Sequence, residues 1–504
     1  MTDQTINPMA LRGAHAARGA VDEPRAGGLG TPAITMMVVA AAAPLTVLGG
    51  STPLGILNGN GAAFPLTFVV VGAALFLFSV GFNAMGRRTK DSGAFFNAIG
   101  RGLGPSMGLG AATLALFTYA MIQAAVTCFL GVQLNASVAT LAGLDVPWWC
   151  WSLAALALVG FLGYRRIAMS ANVLNVLIAG EIGVTVLLSV AIFAREGLAT
   201  LDWAASFHPA NLVQGAPGVA VIFAIASFVG FESTSIYRAE AKDPDRTVPC
   251  ATYVGVAFVT VLYLVASFAI VTAWSRGMDA AGADEVLGAG DMLQQVAALY
   301  VGDWCATLIS VLIVTSLFAA VLSFHNVLSR YLQNMAASQA LPASLGRLHP
   351  RHGSPTRASL AVSACAIAIV AGVALSGIDP FTQAFAWFSG AAVLGFVELL
   401  FLACAAVLAW FARRPALRGE DGWLRTAIVP GVALALLGAI LGCALVNFGE
   451  QVGELDAAGT PTFGPVCAAL VGCVAAALIA GVAEALALRR VRPDSYATLE
   501  ASLS

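Results

Sequence analysis

About twelve stretches of roughly 20 mostly apolar residues follow one another along this chain, and that repetition narrows its possible folds more than any other feature. They lie near 34–57, 62–86, 105–134, 147–166, 168–194, 217–240, 250–274, 304–335, 358–376, 381–411, 425–448 and 464–488. A run of that length crosses a bilayer as a helix, because in hydrocarbon every backbone N–H and C=O must find its partner within the protein. Composition agrees: 59% of the 504 residues are hydrophobic and 10% are charged, against about one quarter charged in soluble domains. The expected fold class is an all-α integral membrane protein seated in a lipid bilayer.

Charge placement tests the count of spans, since Lys and Arg gather in the short cytoplasmic loops of membrane proteins. With both termini cytoplasmic, the inner segments hold 23 of the 25 Lys and Arg, and only Arg195 and Arg276 fall outside. One missed span would invert every later loop and mix the two classes. An even number of helices is therefore expected. Residues 1–33 read as a disordered cytoplasmic tail without the order of a cleaved signal, and 489–504 as a second tail. The external stretch DMLQQVAALYVGDW, residues 291–304, has helical periodicity and is expected to lie across the outer face.

Several function classes lose support here. A net charge of −2 without a long basic tract gives no nucleic-acid footprint. The chain has no GxxxxGK[ST] phosphate loop to bind ATP, and no HExxH motif to suggest an enzyme. Its nine cysteines lie singly, without metal-ligand spacing, so no metal or other cofactor is expected.

Two spans carry residues that weaken a helix. The first has Gly49, Gly50 and Ser51 flanked by Pro44 and Pro53; the sixth, SFVGFESTSIYRAEAKDP at 227–244, has Gly230 with Ser227, Ser233 and Thr234 nearby. An unpaired amide in lipid costs several kcal/mol, so a break survives only where it lines a cavity or meets a ligand. Interrupted spans at corresponding places in two halves point to an inverted-repeat transporter. The halves would be 34–194 and 217–411, together a core of 34–411, with two further helices in 412–488. The exposed half-helix ends offer N–H groups to a carboxylate and carbonyls to a cation. An amino acid has both charges. The alternative is that these glycines serve close helix packing.

Three carboxylates lie deep in spans: Glu181 in the fifth, Glu232 in the sixth and Glu398 in the tenth. An ionised one costs about 2.5 kcal/mol or more at the bilayer centre, so each needs a partner or a function. Glu232, two residues past Gly230, is the first candidate for coupling protons to substrate, and Glu181 the second. Glu398 reads as structural, and His325 as a packing or hydrogen-bonding residue. Thr315, Ser316 and Ser323 in the eighth span are the oxygens that a sodium-coupled alternative would use.

At this point the residues resemble the amino acid-polyamine-organocation permeases. FVGFESTSIYRAEAKDPDRTVPCA is similar to that family's F-x-GFE followed by E-x-x-x-P-x-R-x-x-P; SRYLQNMAASQALPASLGRLHPRHGSPTRAS and SGAFFNAIGRGLGPSMG match two more of its segments in order. The similarity covers about residues 35–410. It implies a bacterial inner-membrane permease of about 12 helices, with a leucine-transporter-like five-plus-five inverted repeat and two extra C-terminal helices. It also implies secondary transport of an amino acid or organic amine, by proton symport or antiport, without ATP. By that resemblance Gly49, Gly50 and Ser51 would hold the substrate carboxylate. Carbonyls around Ala226, Ser227 and Gly230 would hold the amino group, with Phe228 and Phe231 as walls, and Glu232 matches the acidic position after the break. Two positions depart from the family. Glu181 stands where several proton-coupled members have a lysine, and Ala226 where arginine exchangers have a gating tryptophan.

Overall fold

The computed structural model describes residues 28–89, 95–165, 171–232, 234, 238, 241–277, 290–337, 339–349 and 354–503; most of the expected N-terminal tail, and Ser233, lie outside them. Among the described residues there is no β-strand, only two isolated bridges, Leu29 with Ala241 and Leu455 with Pro461. Nine helical stretches there are long and apolar enough to cross a membrane.

The first of these, Thr31–Thr89, contains two expected spans. Its 59 residues would far overreach a bilayer as one rod. The chain instead reverses where Gly59 leaves helical φ/ψ and Gly61 takes φ +60°. Two more runs complete the set of twelve. Trp148–Arg165 is a full helix whose tryptophans dilute its hydropathy, and Pro217–Ala226 is a short apolar helix that stops where the sixth span unwinds. The third span is longer than expected, at Pro105–Ala142, and the seventh starts earlier, at Pro244.

Loop contacts sort into two ends of the bundle, as the arginine count requires. At one end, Arg87 and Arg88 after the second span bind Asp421 between the tenth and eleventh, and the hydroxyl of Ser354 donates to the carbonyl of Tyr164. At the other, Arg195 donates to the Leu299 carbonyl (2.5 Å) and Tyr300 donates to Glu196 (2.7 Å). These last bonds seat the helix Met292–Tyr300, which buries Met292, Leu293, Val296 and Ala297 as its periodicity predicts.

The twelfth span, Pro465–Val491, lies along the third. A Cβ on Gly481 would come within 2.8 Å of the Gly110 Cα, so small residues set this crossing distance. Its first amides, of Val466 and Cys467, donate to Glu454 (2.8 and 3.0 Å), which caps it from the preceding loop.

Candidate functional site

Pro44 determines where the first span breaks. The residue before a proline is pushed out of the right-handed helical region, and Ala43 takes a left-handed conformation, φ 45°, ψ 70°. The helix Thr31–Ala42 ends there and a new one starts at Pro44. This corrects the expectation that the chain unwinds at Gly49, Gly50 and Ser51, which instead form part of a π-helical turn, Val47–Ser51. A Cβ on Gly49 would stand 2.2 Å from Ile313 Cδ1, and one on Gly50 3.0 Å from the Phe129 ring. Both glycines are closely packed in the structure.

The groups released at Ala43 are met from distant helices. The Leu45 amide donates to Glu181 Oε2 at 3.2 Å, the Ser316 hydroxyl donates to the same oxygen at 3.0 Å, and Thr46 donates to Ser316 at 3.2 Å. Tyr263 donates its hydroxyl to the Ala42 carbonyl at 2.8 Å. Glu181, 4% exposed, thus caps the positive end of the second half-helix. Of the three eighth-span hydroxyls named from the sequence, only Ser316 reaches the first span. Thr315 donates to its own helix at Leu312, and Ser323 is exposed.

The sixth span unwinds after Ala226, and Gly230 sits at φ +107°, open only to glycine without strain. A Cβ there would lie 2.9 Å from that of Ala41, so the two breaks touch. Glu232 folds back to accept the Gly230 amide at 2.9 Å on one oxygen, and a hydroxyl proton from Tyr119 of the third span on the other. It is buried.

Beside the breaks is a cavity of about 30 Å³. Its walls come from Ala41, Ala42, Ala43, Thr46, Val47 and Ser51 of the first span and from Ala226 and Val229 of the sixth. Ile122, Val126, Ala320, Phe324, Phe385 and Ser389 close it from the third, eighth and tenth. Among the described residues, no acidic or basic side chain lines it. Of the residues named from the sequence, Ser51 and Ala226 are in its wall. Ser227 donates to the Phe223 carbonyl; Phe228 packs on Phe68 and Tyr263, and Phe231 on Phe78 and Phe396. Phe228 and Phe231 are thus not in the wall of this cavity, whose aromatic members are Phe324 and Phe385.

Sequence reasoning also missed Ala43, Tyr119 and Tyr263. Ala43 had a usable signal, a proline directly after it inside an apolar span. The tyrosines had a weaker one, a hydroxyl placed deep in a span. His325 hydrogen-bonds Ser359 of the ninth span (2.8 Å), which suits the packing role expected for it, and Glu398 is half-buried on the tenth.

Residues 29–473 match the amino acid permease family. Among curated relatives, the low-affinity putrescine importer PlaP of Escherichia coli K12 is 21% identical over 66% of this chain and 72% of its own. The L-methionine/branched-chain amino acid exporter YjeH of the same strain is 35% identical over 23% of this chain and 28% of its own. The cadaverine/lysine antiporter of that strain is 30% identical over 25% and 28%. With two broken spans meeting at a small cavity inside an all-helical membrane bundle, and a family match over most of its length, this chain belongs to the amino acid permease family.

Proposed function

We propose that the protein carries a small apolar amino acid across the membrane by alternating access, coupled to a proton through Glu232. The observation that carries this reading is the cavity at the meeting of the two breaks, walled by half-helix ends, hydroxyls and apolar side chains without a carboxylate. The end of Thr31–Ala42 and that of Pro217–Ala226 present carbonyls to an ammonium. The positive end of the turn after Ala43 is shared in this reading: Glu181 takes the Leu45 amide, and the substrate carboxylate meets the turn at Thr46. At about 30 Å³ the cavity is closed tightly, so cargo enters only as the walls separate.

Tyr119 and Glu232 supply a gate in this scheme, because their bond ties the third span to the unwound sixth next to the cavity. A proton on Glu232 removes the charge that Tyr119 and the Gly230 amide hold in place. Uptake by sealed vesicles tests the coupling: an inward proton gradient should drive alanine accumulation, and Glu232→Gln should abolish that response. Unchanged uptake in both cases would overturn it.

The second reading, an organic amine such as putrescine as cargo, is favoured by the likeness to a putrescine importer over two thirds of the chain. A diamine has two cations and no carboxylate, so it would bind poorly to walls lacking acids. Competition decides between them: excess putrescine should leave labelled alanine uptake intact, whereas excess unlabelled alanine should suppress it.

A further inference from the structure

The tenth span ends at Arg413 and the eleventh starts at Leu424, and the short connection between them, far from the cavity at the breaks, is crowded with arginine. Arg413, Arg414 and Arg425 are exposed and Arg418 is half-buried. The acids of this stretch are Glu420 and Asp421. Asp421 is buried and accepts from Arg87 (2.6 Å) and Arg88 (3.2 Å) at the end of the second span. Arg425, 3.7 Å away, therefore has the weakest share of one carboxylate divided among three guanidiniums. Glu420 is exposed, and among the described residues no ion pair joins it to Arg413, Arg414 or Arg418. Positive charge is left over at this edge.

Two of these arginines stack on tryptophans rather than on acids. The guanidinium of Arg418 lies 3.8 Å from the centre of the Trp423 ring and also donates to the Phe411 carbonyl at 3.5 Å, and that of Arg414 lies 5.4 Å from the centre of Trp410. Trp423 is 65% exposed, and Leu417, Leu424 and Ile428 are exposed on either side of it. An exposed tryptophan at the end of a span sits at the level of the lipid headgroups. The guanidinium stacked on it is thus held at the depth of the lipid phosphates, with apolar side chains beside it for acyl chains.

We propose that this edge binds the headgroup of an anionic phospholipid, with Arg414, Arg418 and Arg425 supplying the charge and Leu424 and Ile428 the contact with its chains. Arginine clusters just beyond a span attract anionic lipid, and the planar guanidinium suits phosphate oxygens. A lipid fits better than a free anion, because an anion would use the arginines and leave the exposed apolar side chains of the same segment without a role. Bound there, the lipid relieves the mutual repulsion of the arginines and holds the second span to the connection between the tenth and eleventh. Nothing in this proposal depends on which cargo is carried or on proton coupling.

The test is native mass spectrometry of the purified full chain in neutral detergent, titrated with dioleoyl phosphatidylglycerol and, in parallel, with dioleoyl phosphatidylcholine. Saturable binding of phosphatidylglycerol is expected, about fivefold tighter than that of phosphatidylcholine. The preference should fall to parity in Arg418→Gln and in Arg414→Gln combined with Arg425→Gln. It should persist in Arg357→Gln, which removes an exposed arginine at the start of the ninth span. Equal binding of the two lipids by the parent, full preference in both site variants, or an equal loss in Arg357→Gln would overturn the proposal. So would displacement of phosphatidylglycerol by an equimolar amount of sodium phosphate, which would mean a bare-anion site. Should Arg418→Gln fail to fold, the double variant decides, since both of its side chains are exposed.

Discussion

Tyr119 is the single residue on which the geometry around the sixth-span break most depends. Its buried hydroxyl and the part-buried Gly230 amide both donate to Glu232. A hydrogen bond to a charged group contributes about 1.5–3 kcal/mol. Tyr119→Phe is thus expected to lower the melting temperature by a few degrees and to slow uptake about tenfold. A variant as stable and active as the parent would remove the gate from the mechanism. Gly230 and Glu232 were legible in the sequence because a glycine and an acid are out of place in a membrane helix. Tyr119 was not, since it lies 113 residues from the carboxylate it serves.

At the scale of the element, the first span is two helices because of one proline. Restoring an alanine returns a backbone donor and removes the pressure on Ala43; a proline inside a helix costs about 3 kcal/mol. Pro44→Ala is expected to melt no lower than the parent, and to lose at least nine tenths of its uptake as the half-helix ends close up. Full transport by that variant would separate the break from function. The twelfth span gives a contrasting case, where an end away from the breaks is capped. Burial raises the Glu454 carboxyl somewhat, but hydrogen bonds from Cys467 and Val466 outweigh it and hold the group below its ordinary range. A carboxyl lowered in the folded state adds stability that is present above the unfolded value of about 4.3 and fades as pH falls through the lower folded value. The melting temperature of the parent should therefore fall faster than that of Glu454→Gln between about pH 5 and pH 3. Parallel curves would show that the cap contributes nothing.

At the scale of the whole molecule, among the described residues, Arg87 and Arg88 meet Asp421 at one end, while Arg195 and the helix Met292–Tyr300 mark the other. The preference of arginine for the cytoplasmic side predicts that the first end faces the cytoplasm. Single cysteines introduced into a cysteine-free background test it at two exposed positions, Ala199 and Ala416. In right-side-out vesicles a membrane-impermeant maleimide should label Ala199→Cys at once, and Ala416→Cys only after lysis. The reverse pattern would turn the molecule over.

The sequence by itself determined the helical class, the twelve spans and the two spans unable to run straight. Each follows from a local rule: the bilayer sets a length, forbids unpaired amides and taxes every charge. Only the tertiary structure decided that the first break falls at Ala43, with Glu181 reaching across 136 residues to cap it, and that Phe324 and Phe385 rather than Phe228 and Phe231 wall the cavity. Those outcomes depend on which helices meet at what distance, and side chains far apart in the chain have no local rule by which to announce their partners.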